Sequence, residues 1–300
     1  MDSGLWGTIF GILAYTAWGV LPLYWKLLDR IPALEILAHR VFWSFLFLSL
    51  IILVSKQLPS LIMACKKKRT MFYVFLSAII ISLNWFTFIW AVTSGRVVEA
   101  SMGYYINPLI VVLLGTVVLK EQLNTRQKTA ILFASVGVII MTVQYGGIPW
   151  VALTLALSFA CYGLIKKTVD ISSLNGLTLE TAMTAPIALG YILYIKLNGT
   201  GSLEVIPLPT MLTLFASGIA TATPLLLFAQ AAKSIKFSTM GFMQYIAPSL
   251  SLAIGVFLFH EPFTKAHLLS FSFIWIALII YSLSHLSIKK ARQNVLGEKL

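Results

Sequence analysis

Apolar residues run along this chain in windows of about 20, the length an α-helix needs to cross the hydrocarbon of a bilayer, and polar residues collect in the short stretches between them. Windows near 5–24, 34–54, 71–92, 98–119, 128–145, 148–165, 178–196, 210–231, 238–258 and 267–287 predict ten spans. The fold expected is an all-α membrane protein of ten transmembrane helices, with no gap long enough for a soluble domain. The first apolar run, from Leu5, follows an acidic residue and extends too far for a signal peptide, so it is expected to stay as a span.

The polar positions carry a second pattern. Tyr105 to Glu121, YINPLIVVLLGTVVLKE, returns without a gap as Tyr245 to Glu261, YIAPSLSLAIGVFLFHE, with Tyr, Ile, Pro, Gly and Glu in register. At the same offset, Phe133, Ile139 and Ile140 are answered by Phe273, Ile279 and Ile280. A whole unit is duplicated. Residues 1–145 read as a first five-helix repeat and 146–290 as a second, joined by the turn Gly146-Gly147-Ile148-Pro149, with 291–300 a short basic tail. An odd number of spans per unit inverts the second repeat in the membrane. That is a recurring plan of secondary transporters, whose sites lie near the midplane between the repeats.

With 59% apolar and 11% charged residues, the composition lies far from the soluble average. The net charge of +12 follows the loops. Lys56, Lys66 to Arg69, Lys120, Arg126, Lys128, Lys166, Lys167, Lys233, Lys236, Lys289, Lys290, Arg292 and Lys299 fall on one side. The other side holds only Lys26, Arg30, Arg96, Lys196 and Lys265. The basic side marks the cytoplasm and places both termini there, and no nucleic-acid partner is implied. Cys65 and Cys161 lie in dissimilar settings and make no disulfide or metal framework. There is no Walker A, HExxH or Gly-x-Ser-x-Gly sequence, so neither an enzyme nor a cofactor is expected.

Candidate chemistry sits inside the spans. Glu35, His39 and Arg40 open the second, where ionisable groups are costly and by default functional. Arg40 snorkelling to headgroups, neutralised by Glu35, is the structural alternative. His39 is the group able to load and release a proton near neutral pH. Asn84 and Trp85 in the third span, Tyr105 and Asn107 in the fourth, Gln230 in the eighth, and Gln244 and Tyr245 in the ninth are candidates for a site between the halves. Trp18 on the small-aromatic face of the first span (Gly11, Tyr15, Trp18, Gly19, Pro22) joins them. Pro108 and Pro248 free backbone carbonyls at equivalent places and are the expected hinges. Glu99 follows the third span and joins the coupling candidates. Glu121 and Glu261 close spans at opposite faces, about a bilayer apart, and read as helix caps rather than a carboxylate pair.

The runs GILAYTAWGVLPLYWKLL, EILAHRVFWS, NWFTFIWAV, EASMGYYINPL and TATPLLLFAQAAKSIKFSTMGFMQYIAPSLSLAIGVFLFHEPFT resemble the RarD group of the EamA family, in the drug/metabolite transporter superfamily. The resemblance implies two inverted five-helix repeats around a central cavity. It also implies secondary transport, usually export, of small metabolites, amino-acid-like compounds or drugs. The expected partners are the lipid bilayer, a small-molecule substrate and protons. An importer or exchanger of the same fold stays open, as does an intramembrane enzyme acting on a lipid through His39 and a serine from another span.

Overall fold

The protein is described by a computed structural model covering residues 3–145, 148–260 and 265–297. Gly146, Gly147, Glu261, Phe263 and Thr264 lie outside the described residues, as do the side chains of His267 and His285. The α-helices in chain order are α1 (Ser3–Lys26), α2 (Ala33–Val54), α3 (Leu58–Lys66), α4 (Lys68–Thr93), α5 (Val97–Val117), α6 (Thr125–Tyr145), α7 (Trp150–Thr168), α8 (Ser173–Leu197), α9 (Leu208–Ser234), α10 (Phe237–Met243), α11 (Ile246–Phe257) and α12 (Lys265–Gly297). Among the described residues, nine helical stretches are long and apolar enough to cross a membrane, with α10 and α11 counted together. A shorter apolar stretch, Leu268–Ser284, lies within α12. Leu50, Val54, Ile139 and Ile187 are exposed on the outside, where lipid would solvate them, whereas Ala, Ser and aromatic residues fill the inside.

The duplication seen in the sequence governs the helix boundaries. Ala33, Lys68, Val97 and Thr125 begin helices, and so do their counterparts in the second repeat, Ser173, Leu208, Phe237 and Lys265. Packing partners recur in the same way. α1 packs on α9 and α11, while α7 packs on α4 and α5. α2 packs on α8 and α9, while α8 packs on α2 and α4; α6 packs on α12.

Close approach of these helices depends on small residues, because lipid tails are as apolar as leucine and give helices no hydrophobic reason to associate. A Cβ on Gly218 would lie 2.3 Å from the carbonyl carbon of Trp43, so α2 and α9 touch backbone to backbone there. The contact is closed by a hydrogen bond from Ser44 Oγ to the Gly218 carbonyl, 2.9 Å. Ser270 donates to the Gly137 carbonyl (2.8 Å) between α12 and α6, and Ser251 to the Gly19 carbonyl (3.1 Å) between α11 and α1.

Two features depart from the apolar windows. α3 occupies a predicted loop, since nine residues fall below the length that a span-sized window detects. The ninth span, expected as one helix, is two: α10 ends and α11 begins around Gln244 and Tyr245. Pro248 has no N–H to give the Gln244 carbonyl, which instead accepts from Ala247 N at 3.2 Å in a tightened turn. Pro108, by contrast, lies inside an unbroken α5. The paired prolines therefore break the helix on one side only.

Candidate functional site

Arg40 sits on α2 beyond the helix start at Ala33, roughly 10 Å into the helix at about 1.5 Å per residue. Its Nε donates to Thr221 Oγ1 on α9 at 3.1 Å. Its guanidinium carbon lies 5.2 Å from the ring centre of Trp25 on α1 and 5.1 Å from that of Trp85 on α4, both cation–π distances. Three helices besides its own thus contact the side chain, and it points into the bundle rather than toward headgroups. No carboxylate pairs with it among the described residues.

The neighbours expected to act with Arg40 are engaged elsewhere. Glu35 is buried and accepts from the backbone N–H and the hydroxyl of Ser202, each at 2.8 Å, holding the turn before α9 against α2. It does not neutralise Arg40. His39 is buried and accepts the Trp43 indole N–H at Nδ1, 3.1 Å, which places its own proton on Nε2. That Nε2 has no partner among the described residues.

Glu99 is also a structural hub. It accepts from Arg96 Nη2 (2.7 Å), the Tyr145 hydroxyl (2.9 Å) and the backbone N–H of Val151 (2.8 Å), so it caps the start of α7 and ties it to α5 and α6. Glu121 caps the start of α10, accepting from Phe237 N and Ser238 N at 2.7 and 2.8 Å. Its capped helix belongs to the other half of the chain rather than being the α6 that follows it, as adjacency in sequence suggested.

Asn84 donates to the Leu155 carbonyl and to Ser158 Oγ, both at 2.9 Å, and so joins α4 to α7. Asn107 donates to the Ala156 carbonyl at 2.5 Å, joining α5 to α7, while its Oδ1 is buried without a partner among the described residues. Gln244, at the α10–α11 break, likewise has a buried Oε1 with none. Trp18 belongs to a ring cluster with Tyr15, Phe159 and Phe228 at 5.6–5.7 Å between centres. Tyr105 stacks edge-on against Phe271, and Tyr245 is fully buried beside it, so both fill a packed seam rather than an open wall. Gln230 is exposed near the end of α9 and does not join the other polar candidates.

One cluster lies outside the candidates read from the sequence. Lys166 on α7 and Glu180 on α8 form a buried ion pair at 2.6 Å, and Glu180 also accepts from Ser77 Oγ (2.5 Å) and the Tyr162 hydroxyl (3.2 Å). A cavity lined by Ile81, Trp85, Tyr162, Leu177, Glu180, Thr181, Thr184 and Leu225 lies alongside. Trp85 is therefore common to the Arg40 site and to this cavity. The signal available in the sequence is that Glu180 stands at the repeat position of Arg40, and Lys166 at that of Lys26.

Residues 5–143 match the model of the EamA-like transporter family. The uncharacterized transporter YojE of Bacillus subtilis is 47% identical over 294 residues, covering 96% of this chain and 97% of that one. This chain belongs to that family. Among its members, protein RarD of Escherichia coli K12 is 38% identical over 275 residues, covering 92% of this chain and 93% of its own. A crystal structure matches with a TM-score of 0.71 at 18% identity, covering 92% of this chain and 97% of the other, which shows the shared fold. The RarD-like relationship places this EamA member in the drug/metabolite transporter superfamily, as a multi-pass protein of the bacterial inner membrane. Its relatives are transporters, and no group of three or more His, Cys, Asp or Glu that could hold a metal occurs among the described residues.

Proposed function

We propose that this protein is a secondary active exporter of a small metabolite, amino-acid-like compound or drug. It works by alternating access between two inverted five-helix repeats, residues 1–145 and 146–290, with ten spans and both termini in the cytoplasm. The observation that carries the reading is Arg40. An arginine held inside a membrane-spanning bundle, contacted by residues from α1, α4 and α9 and lacking a carboxylate among the described residues, is a binding group waiting for a partner. Trp85 forms the wall of the site, with Trp18 and Phe228 deeper in the same core cluster. Asn84 and Asn107 hold α4 and α5 to α7, and the break at Gln244 supplies a joint in the second repeat. His39 is the coupling group of choice, since protonating Nδ1 would end its bond from Trp43.

Counterflow in proteoliposomes tests this. Labelled substrate should accumulate against preloaded unlabelled substrate, saturate with concentration and disappear in Arg40→Gln. Flux that rises linearly without limit and shows no counterflow rules out a carrier.

A further inference from the structure

Arg40 and Glu180 occupy equivalent positions in α2 and α8, one in each repeat, and carry opposite charges. Their surroundings differ in how the charge is met. Glu180 is neutralised by Lys166 at 2.6 Å, with both side chains almost wholly buried. The equivalent of Lys166 in the first half is Lys26, which is exposed and turned to Asp29 at 3.2 Å. The second half thus carries a closed pair where the first half carries a cation with no counter-charge among the described residues.

We infer that the missing counter-charge is the substrate, a small carboxylate-bearing monoanion with an apolar body; this rests on the transporter reading above. A guanidinium is planar and carries its N–H donors at its edges, and the Trp25 and Trp85 rings, 5.2 and 5.1 Å from its carbon, accept no hydrogen bond from them. The Nε of Arg40 is used by Thr221 Oγ1, while its two terminal nitrogens make no hydrogen bond with the described residues. Those nitrogens form the fork that donates two parallel hydrogen bonds to a carboxylate. Trp25 and Trp85 offer aromatic surface to the rest of the molecule. No free carboxylate waits beside Arg40 for an ammonium group among the described residues: Glu35 is held by Ser202, and Glu180 by Lys166. Both oxygens of Glu35 are already used and Glu180 has its lysine, so the open bonding capacity at Arg40 is cationic and favours an anion.

The test is thermal unfolding of the purified full-length protein in detergent with benzoate and indole-3-acetate, against benzamide, indole-3-acetamide and tryptamine. A ligand of the folded state raises its apparent melting temperature. The carboxylates should stabilise and their uncharged amides should not. The apparent affinity should fall by about tenfold or more in Arg40→Gln, with Arg40→Lys retaining part of it. Folding of each variant is checked by size-exclusion profile and ligand-free melting temperature. Equal stabilisation by amides or tryptamine, carboxylate shifts that persist in Arg40→Gln, or no carboxylate shift at all would overturn the inference. So would an Arg40-dependent shift produced only by short-chain phosphatidylglycerol, which would make the partner a lipid. Carboxylate binding that depends on Arg40, without counterflow in proteoliposomes, would instead sustain the anion site and sink the transporter reading.

Discussion

Tyr245 donates its hydroxyl to the backbone carbonyl of Tyr105, 3.3 Å away, and these two residues are each other's counterparts in the duplicated sequence. Two equivalent residues meet at a contact only where they lie close to the axis relating the repeats. Phe133 and Phe273, another pair of counterparts, also meet, with ring centres 5.9 Å apart. Contacts between counterparts thus fall where α5 meets the α10–α11 break and where α6 meets α12, an arrangement consistent with two repeats related by an axis there. Removing the hydroxyl in Tyr245→Phe should cost about 1 kcal/mol, the net worth of one hydrogen bond. Unfolding in detergent measures this, and a loss several times larger would mean the tyrosine does more than join the repeats.

Gly218 is where α2 and α9 lie closest, and a Cβ there meets Trp43 and Ser44 main chain at 2.3–2.5 Å. Gly218→Ala should be destabilising by roughly 1–3 kcal/mol, because backbone, unlike a flexible side chain, cannot step aside. Gly190, with nothing within 4 Å of where a Cβ would lie, provides the matched control, and Gly190→Ala should leave the melting temperature close to that of the parent.

The Lys166–Glu180 pair should respond asymmetrically to single and double replacement. Removing one partner strands a buried charge, so Glu180→Gln should lose roughly 3–5 kcal/mol. Lys166→Met combined with Glu180→Gln should recover much of that loss. A double-mutant cycle showing simple additivity would mean the two charges do not depend on each other.

Glu35 and Asn175 hold loops of the opposite half. Glu35 binds Ser202 in the turn before α9, and Asn175, its equivalent in the second repeat, donates to Ser60 at the start of α3 at 2.9 Å. Glu35→Ala should raise amide hydrogen exchange at 200–206, and Asn175→Ala at 58–62, each leaving the other loop unchanged. Faster exchange in both loops from either variant would show that the two are not independent clamps.

If His39 couples transport to protons, His39→Gln should flatten the pH dependence of flux between about pH 5 and 8, the range in which an imidazole changes charge. Counterflow under a fixed substrate gradient measures it. An unchanged pH profile removes His39 from the coupling path.

The apolar windows and the repeated register were enough to put long apolar helices at nine of the ten predicted spans among the described residues and to match helix starts 140 residues apart. Membrane length and helical rise leave few ways for a run of about 20 apolar residues to fold, and a repeated register survives in sequence whatever the packing. They also marked Arg40 as unusual, because a charge inside a span is visible wherever its side chain points. Which charges find partners was decided by the tertiary structure alone. Glu35, one turn before His39 on the same helix, turns away to Ser202; Glu99 goes to α7; and Glu180 meets a lysine from another helix. The same holds for the two prolines, alike in sequence, of which only Pro248 coincides with a broken helix. Spacing along one helix governs neighbours within that helix, whereas hydrogen bonds and ion pairs between helices depend on how the helices cross, and that geometry arises only once the bundle has closed.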